Sequence, residues 1–308
     1  MSSTIIVAGS VNMDLVVRAS RMPKEGESLI GSGFTMVPGG KGANQAVAAA
    51  RLGSTAHFVG RVGSDLFGTS LRENLASCGV NIAHLLADDG PSGIAMIIVN
   101  ENGQNSIVVA LGANGEVRPD DLSQAADLFG AADFLLVQLE IPLETVEAAL
   151  DMARAAGVRS VLDAGPPQEL PPELIRKADV VSPNETETAA LTGVEVTDLA
   201  TAREAAKKLL DDGVETVVLK LGEQGSFVAT RDLEEHVPAF QVDPVDTTAA
   251  GDAFTAALAV ALADGSDLVD AVRFANAAGA VAVTRFGAQP SMPARDEVER
   301  FVAERAEK

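Results

Sequence analysis

Apolar residues recur along the chain with two periods, one typical of strands and one typical of helices. A short apolar run predicts a first strand at Thr4–Ala8, and weak alternation predicts an extended segment over residues 11–17. From residue 41 the apolar spacing is helical, and Gly53 is placed to end that helix. A strand and a helix are predicted next, over residues 56–62 and 65–77.

Beyond about residue 115, short β-rich runs alternate with alanine-rich helical stretches. This alternation is typical of a mostly parallel central sheet flanked by helices on both faces, so the sequence predicts an α/β fold. The predicted strands cover residues 134–139, 160–163, 180–182 and 216–221, and the last predicted helices cover residues 250–263, 268–284 and 295–304.

Two further β-rich runs, residues 94–99 and 106–111, flank the sequence Glu101-Asn102-Gly103-Gln104. An Asn-Gly pair tolerates positive φ, so this pattern predicts a β-hairpin. No long linker or internal repeat divides the chain. We therefore predict a single α/β domain over residues 1–308 with a small β-sheet lid, built from insertions at about 12–36 and 91–112.

Composition narrows the class of protein. Of the 308 residues, 47% are hydrophobic, which is enough for a sizeable core. No apolar run of about 18 residues is present and the first residues lack a basic segment, so neither a membrane span nor a signal peptide is expected. The single cysteine, Cys78, fits a reducing cytoplasm, and we expect it to be a small buried residue on a helix.

The net charge of −21 argues against a nucleic-acid partner, whose phosphates need a basic surface. The same charge repels any anionic nucleotide at long range. Any nucleotide site must therefore be built locally, from backbone N–H groups, a metal ion and a few cations. The acidic bias fits adaptation to high salt and fits an ordinary acidic surface equally well.

Several common site motifs are absent. Lys41 follows glycines but precedes Gly42, so it does not form a P-loop, and the protein-kinase motifs H-R-D and D-F-G are missing. Gly31-Ser32-Gly33 lacks the third glycine of a dinucleotide fingerprint. Three scattered histidines and one cysteine predict no zinc site, and no G-x-S-x-G elbow supports a serine hydrolase.

The strongest chemical signal is the sequence DTTAAGDAF at residues 246–254. A Thr/Ala/Gly stretch leads there into an apolar helix, whose first-turn N–H groups and dipole suit an anion. Asp252 would lie beside a bound phosphate, where a carboxylate can accept a proton from an attacking hydroxyl. An ordinary helix residue in a first turn is the alternative interpretation.

Two more segments carry polar side chains next to predicted elements. The sequence GGKGANQ at residues 39–45 permits close backbone approach before a helix, and Lys41 and Asn44 add donors; an ordinary glycine turn is the alternative. Asn12-Met13-Asp14 directly follows the first strand region. Its Asn and Asp side chains share one face and either bind vicinal hydroxyls or form a polar turn.

Together these segments resemble the ribokinase-like carbohydrate kinase family. The most specific matches are GGKGANQAVA at residues 39–48 and DTTAAGD at 246–252, and the resemblance spans nearly the whole chain. It implies ATP-dependent phosphorylation of a sugar, D-ribose at its 5-hydroxyl. The other matching segments are GSVNMD at 9–14, QLE at 138–140, PNETE at 183–187, LGEQG at 221–225 and GAQPS at 287–291.

The resemblance also implies roles for individual residues. Asp252 is the expected general base, and the N–H groups of Ala249, Ala250 and Gly251 form the expected anion hole for the γ-phosphoryl group. Asp14 is expected to accept hydrogen bonds from two adjacent hydroxyls. The complete sugar site implied is Asn12, Asp14, Gly40, Lys41, Gly42, Ala43, Asn44, Glu140 and Asp252.

ATP, Mg²⁺ and K⁺ are the cofactors that the resemblance implies. Glu187 is expected to organise Mg²⁺ through water, because Mg²⁺ sheds water reluctantly. Lys220 stands where some relatives have threonine. The implied ATP-binding residues are Asn184, Lys220, Leu221, Gly222, Glu223, Gln224, Gly225, Gly251 and Asn276. The implied potassium site is Asp246, Thr248, Ala282, Arg285, Gly287 and Ser291, and its cation is expected to tighten the anion-hole loop.

The lid is expected to close over the sugar and exclude water, and the resemblance implies that it pairs with a second subunit as a homodimer. Kinases of the same family that act on 2-deoxyribose, adenosine or fructose remain alternatives. A non-catalytic sugar-binding regulator is less favoured because Asp252 is present. A nicotinamide oxidoreductase is disfavoured because the dinucleotide fingerprint is missing.

Overall fold

The computed structural model describes residues 2–306. The strands are β1 (Thr4–Ala8), β2 (Asn12–Arg18), β3 (Gly33–Gly39), β4 (Thr55–Gly63), β5 (Asn81–Asp88), β6 (Gly93–Val99), β7 (Asn105–Ala110), β8 (Phe134–Val137), β9 (Arg159–Leu162), β10 (Val180–Val181), β11 (Thr216–Lys220), β12 (Ser226–Ala229) and β13 (Glu234–Val237). The α-helices are α1 (Lys41–Arg51), α2 (Leu66–Ser77), α3 (Pro119–Gln124), α4 (Ala126–Phe129), α5 (Leu143–Ala156), α6 (Pro172–Ile175), α7 (Glu185–Thr192), α8 (Leu199–Asp211), α9 (Ala250–Ala263), α10 (Leu268–Ala282), α11 (Ala288–Ser291) and α12 (Arg295–Ala306).

Nine strands form the central sheet in the order β13-β12-β11-β10-β9-β8-β1-β4-β5. All neighbours are parallel except at β12, which runs antiparallel to both β11 and β13. The predicted α/β class, a mostly parallel sheet flanked by helices, is confirmed. The parallel strands end at one edge, and the loops that follow them meet there, which is where ligands bind in sheets of this kind.

Strand β1 shows why the sheet lies at the centre. Ile5 and Val7 pack into the core on the side of α1, α9 and α10, whereas Ile6 and Ala8 pack into the core on the side of α5 and α8. Both faces are therefore apolar, as expected for a parallel strand covered by helices. Each fully buried isoleucine or valine side chain stabilises the fold by about 1.5–3 kcal/mol.

The second sheet has four strands in the order β3-β2-β6-β7 and forms the lid. The first of the two insertions that build it was predicted to end at about residue 36. The sheet continues to Gly39, three residues further, because β3 pairs with β2 along its whole length. Val16, Ala95 and Ile97 form a small core on one face. The opposite face exposes the large apolar residues Phe34, Met36, Met96 and Val108, whereas Ile107 pairs with Ile97 on the face that carries the small core.

The predicted elements differ from the structure mainly at their ends. Helix α9 has the predicted bounds, and α10 ends at Ala282, two residues early. The hairpin turn is confirmed, with Gly103 at φ 76°. Cys78 is not buried in a helix but caps the end of α2 and is partly exposed, because the chain turns there toward Val80. Within residues 2–306, no helix has the length and apolar character needed to cross a membrane.

Candidate active site

The candidate active site lies at the edge where the parallel strands end. Helix α9 begins there at Ala250, and Ala249 before it adopts a left-handed conformation (φ 59°, ψ 12°), the one non-glycine residue with positive φ in residues 2–306. A non-glycine residue in this region stores strain, and such strain concentrates at functional sites. No side chain caps the helix.

The open helix end leaves backbone donors available. In the part of the chain that the structure describes, the N–H groups of Ala249 and Gly251 have no acceptor, whereas that of Ala250 reaches the Thr247 carbonyl at 3.3 Å. Two of the three predicted anion-hole donors are thus free and the third makes a long, weak bond. An uncapped N-terminus with free N–H groups is suited to binding an anion.

Asp252 lies in the first turn of this helix and is buried. Asn44 donates from Nδ2 to Oδ2 of Asp252 at 2.8 Å, and Gln45 donates from Nε2 to Oδ1 at 3.2 Å. Burial raises the pKa of Asp252 to about 7; the positive Lys41 opposes this rise and the negative Asp163 adds to it. A carboxylate with this proton affinity is suited to general base catalysis near neutral pH.

Helix α1 brings Lys41 and Asn44 to the same place. The helix starts after Gly40, whose φ of 91° and contact with the backbone of Val11 and Asn12 leave no room for a side chain. The Oδ1 atom of Asn44 is buried and has no partner in residues 2–306, so it is available to a ligand hydroxyl.

The predicted sugar residues line one side of the site. Asn12 and Asp14 belong to β2, and a Cβ on Gly39 would collide with the Asp14 carboxylate. Burial raises the pKa of Asp14 to about 7, and the charges of Glu140 and Asp252 add to the rise. Asp14 also lines a cavity of about 470 Å³ between the lid and residues 244–248. The arrangement offers acceptors to several hydroxyl groups at once.

Two acceptors of the site, Oδ1 of Asn12 and the Glu140 carboxylate, are held by neighbouring groups. Asn114 donates from Nδ2 to Oδ1 of Asn12 at 2.7 Å. Glu140 accepts a short hydrogen bond from the hydroxyl of Ser10 and one from the Lys41 N–H at 3.3 Å. Gly42 packs against the backbone of residues 9 and 10, and Ala43 is fully buried, so these two contribute close packing rather than side-chain contacts.

The other side of the site carries the positive charges. Glu187 is buried and lies between two ammonium groups, 3.7 Å from Nζ of Lys41 and 4.0 Å from Nζ of Lys220. Asn184 and Glu187 cap helix α7 reciprocally through 2.9 Å and 2.8 Å bonds between side chain and backbone. The side chain of Lys220 turns inward to Asp163 at 2.9 Å rather than along the loop that follows.

That loop is the predicted ATP-binding segment. It forms a 3₁₀ turn at Gly222–Gln224, with Glu223 exposed, Leu221 buried and Gly225 at a φ of 92° against the backbone of residues 237–239. Asn276 lies behind the loop, where its Oδ1 accepts a hydrogen bond from the Ser226 hydroxyl and its Nδ2 donates one to the Val237 carbonyl. Asn276 therefore supports the loop in this structure and does not present its amide to solvent.

Ala282 ends α10 and Ser291 ends α11, and the other predicted potassium residues come from two adjacent loops, 246–248 and 283–287. Asp246 joins them, since its Oδ1 accepts from the Thr248 N–H and its Oδ2 accepts from the Gly287 N–H, both at 2.9 Å. The carbonyl of Ala282 accepts a bond from the Arg285 N–H at 3.1 Å. The hydroxyl of Ser291 is buried and donates to the Ala288 carbonyl.

Sequence reasoning missed Asp163, which is fully buried directly after β9. It accepts hydrogen bonds from Gln45, Lys220 and Thr255. Burial alone would raise the pKa of Asp163, but the charges of Lys220 and Lys41 outweigh burial and hold it below its usual value. A polar residue at the end of an apolar strand was the one available signal.

Comparison with known proteins decides the family. Residues 2–295 match the model of the pfkB family carbohydrate kinases. A ribokinase from Haemophilus influenzae is 41% identical over 303 residues, which cover 98% of this chain and 99% of that protein. The chain belongs to the pfkB family of carbohydrate kinases.

Two further comparisons extend this result. A deoxyribokinase from Salmonella typhimurium is 38% identical to this carbohydrate kinase over 301 residues, covering 97% of this chain and 98% of that protein. The solved structure of a ribokinase from Arabidopsis thaliana, complexed with ribose and ATP, matches it with a TM-score of 0.89 and 36% identity, covering 98% of this chain and 99% of that one. The predicted family resemblance, fold class and kinase character of the chain are confirmed.

Proposed function

We propose that this carbohydrate kinase transfers the γ-phosphoryl group of ATP to the 5-hydroxyl of D-ribose. One observation carries the proposal: the buried carboxylate of Asp252 lies between acceptors suited to a sugar and the open end of α9. The Arabidopsis thaliana ribokinase complexed with ribose and ATP supports the choice of both ligands.

The proposed step needs only groups that the site holds in place. Asp252 accepts the proton of the 5-hydroxyl while the oxygen of that hydroxyl forms the new bond to the γ-phosphorus. The bond between that phosphorus and the β–γ bridging oxygen breaks, and its electron pair leaves with ADP. The free N–H groups of Ala249 and Gly251 stabilise charge on the transferred group, because fixed donors need no reorganisation during the reaction.

A sugar panel tests the proposed substrate. We expect the highest kcat/KM with ATP for D-ribose, because Asp14, Asn12 and Asn44 offer acceptors for more hydroxyls than 2-deoxyribose carries. The measurement is ADP release, coupled to an indicator enzyme, across D-ribose, 2-deoxyribose, fructose and adenosine. A higher kcat/KM for 2-deoxyribose would replace the proposal by deoxyribokinase activity, which the Salmonella typhimurium relative also supports.

The pH dependence follows from the pKa of Asp252. We expect kcat to rise with pH through about 7, since burial raises the pKa of Asp252 to about 7 and the base works only when deprotonated. Below that pH, kcat falls by about tenfold per pH unit. Protonation of Asp14 weakens sugar binding over the same range, so kcat and KM for D-ribose must be measured separately from pH 5.5 to 8.5. A kcat independent of pH below 7 contradicts this assignment of the base.

Mg²⁺ enters the proposal through water rather than through direct protein ligands. No group of three or more His, Cys, Asp or Glu side chains in residues 2–306 is arranged to hold a metal ion. Glu187 fits a water-mediated role, since it is buried at the phosphate side and one of its oxygens already accepts the Asn184 N–H. Mg²⁺ carried by ATP would neutralise phosphate charge there.

Potassium activation is part of the same proposal. The two loops that Asp246 joins contain Thr248, Arg285 and Gly287, whose backbone carbonyls are expected to bind the cation, and one of the loops leads directly to Ala249. A cation there would tighten the anion hole. We expect replacement of K⁺ by Na⁺ at constant ionic strength to lower kcat/KM for D-ribose about tenfold, a size typical of coupling between two sites. Equal rates in the two salts would remove the potassium assignment.

We also propose that the lid pairs with a second copy of the chain and that the enzyme works in the cytoplasm. The exposed apolar side chains on the outer face of the lid, Phe34, Met36, Met96 and Val108, favour burial against another surface. A single partly exposed cysteine fits a reducing compartment. Sedimentation of the protein with Met96 and Val108 replaced by serine tests the dimer, since loss of these contacts is expected to give monomers and an unchanged mass would exclude this interface.

A further inference from the structure

A buried ion pair lies beside Asp252. Asp163 follows β9 and Lys220 ends β11, and Nζ of Lys220 is 2.9 Å from Oδ1 of Asp163. The Asp163 side chain is fully buried and that of Lys220 is only 12% exposed. Burying two charges removes their hydration, so a pair of this kind is costly and contributes little net stability by itself. Its place at the strand ends indicates a role in the reaction.

The ammonium group of Lys220 has unused donors. It carries three N–H groups, and Asp163 accepts from one of them. Across residues 2–306, no second acceptor lies within hydrogen-bond distance of it. A Cβ added to Gly251 would lie 3.7 Å from Nζ of Lys220, which places the ammonium group at the open end of α9. Two donors and a positive charge therefore stand where a phosphoryl group is expected.

Asp163 also reaches Asp252 through Gln45. The amide NH₂ of Gln45 donates to Oδ2 of Asp163 at 2.8 Å and to Oδ1 of Asp252 at 3.2 Å. Gln138 fixes the orientation of this amide by donating from Nε2 to Oε1 of Gln45 at 2.7 Å. Oriented in this way, Gln45 links the ion pair directly to the base.

Six charged residues surround Asp252. Asp163 and Lys220 have opposite signs, so removing Asp163 is expected to lower the pKa of Asp252 and removing Lys220 is expected to raise it. The charged residues in question are Asp14 on β2, Lys41 on α1, Glu140 after β8, Asp163 after β9, Glu187 on α7 and Lys220 on β11.

We propose that Lys220 binds the transferred phosphoryl group and that Asp163 is a positioning residue, holding both this ammonium group and, through Gln45, the carboxylate of Asp252. The proposal rests on the kinase function proposed above. The bonds made and broken are those of that reaction, and Lys220 stays protonated throughout. Lysine binds phosphate as a point charge, and charge stabilisation is the main task in phosphoryl transfer.

Three variants test the pair: Lys220→Met, Asp163→Asn and the double variant. For Lys220→Met we expect kcat about 100-fold lower and KM for ATP higher, the loss typical of one removed donor at a reacting oxyanion. Binding of D-ribose, measured by calorimetry without nucleotide, stays within about threefold. Lys177→Met, a matched change at a lysine far from the site that pairs with Glu147 and Asp151, leaves kcat unchanged.

The pH profile separates a role in the reaction from a purely structural one. Loss of the negative charge in Asp163→Asn is expected to move the acidic limb of kcat to lower pH, and loss of the positive charge in Lys220→Met to move it to higher pH. The acidic limb of the double variant is expected at a pH between those of the two single variants. Limbs that stay at the wild-type pH in all three variants, or a Lys220→Met enzyme with wild-type kcat and KM for ATP, would overturn the proposal.

Activity of the wild-type enzyme on D-ribose separates failure of the proposed substrate from failure of the proposed roles of Lys220 and Asp163. If wild-type protein leaves D-ribose unphosphorylated, the proposed substrate fails, and the same variants are then compared on whichever sugar of the panel gives the highest kcat/KM. A single variant that does not fold leaves the double variant as the test, because removing both charges leaves no unpaired buried charge. Wild-type kcat and wild-type KM for ATP in the double variant would then count against the pair.

Discussion

Replacing Asp252 by asparagine is expected to lower kcat for D-ribose about 10³- to 10⁴-fold, the upper range for loss of a general base. Asparagine has the same shape and can still accept the hydrogen bond from Asn44, but it cannot take the proton of the sugar hydroxyl. We expect the Kd for D-ribose to change by no more than about threefold, since the base acts mainly in the transition state. Single-turnover phosphoryl transfer and calorimetric titration with D-ribose measure the two quantities.

A matched variant at the other end of the same helix controls for general effects. Asp264 follows the last turn of α9 and pairs with Arg295 at the surface, so Asp264→Asn changes the same chemical group far from the site. We expect its kcat to equal that of the wild type. If Asp252→Asn retained a kcat within tenfold of the wild type, Asp252 would not be the base, and the proton would have to leave through another group.

The segments that were predicted well are those whose chemistry is local. Helix α9 is apolar on all sides, and its preceding residues are small, so both its bounds and its open N-terminus follow from a few neighbouring residues. The same holds for α1, where Gly40 fixes the start. Strands β5 and β13 were not predicted, because each lies at an edge of the sheet and mixes polar with apolar residues.

Asp163 could not have been assigned from the sequence because its partners are far away along the chain. Lys220 is 57 residues away and Gln45 is 118 residues away. The strand before Asp163 predicts only that the residue lies at the edge of the sheet. Whether such a carboxylate is paired, solvated or catalytic depends on the folded arrangement, which places Lys220 on a strand two positions away in the sheet.

A few local donors allow this acidic protein to bind ATP. Five carboxylates line the site, and only Lys41 and Lys220 bring positive charge. The chain has a net charge of −21, so long-range attraction cannot assist binding. Local donors must do so instead, namely the open end of α9 and these two ammonium groups.

Lys41 is the cation on which this balance depends most, and replacing it by methionine is expected to lower kcat about 10³-fold at pH 7. Burial alone would lower the pKa of Lys41, but the charges of Asp163, Asp252, Glu187 and Glu140 outweigh burial and raise it, so the side chain is fully charged at that pH. Its loss removes a cation from the phosphate side, where one electrostatic contact contributes about 10²–10³ in rate. It also raises the pKa of Asp252 further, so less of the base is deprotonated at neutral pH.

Two measurements separate these causes. Raising the pH is expected to recover the part of the loss that comes from protonation of Asp252, while the remainder reflects the missing contact with phosphate. Lys41→Arg keeps the charge but replaces a compact ammonium group by a planar fork, so we expect it to retain the wild-type pH profile and to lose only about tenfold in kcat. A methionine variant within tenfold of wild-type kcat at pH 7 would show that Lys220 and the helix end together suffice to hold the phosphoryl group, and that Lys41 serves only to bind the sugar.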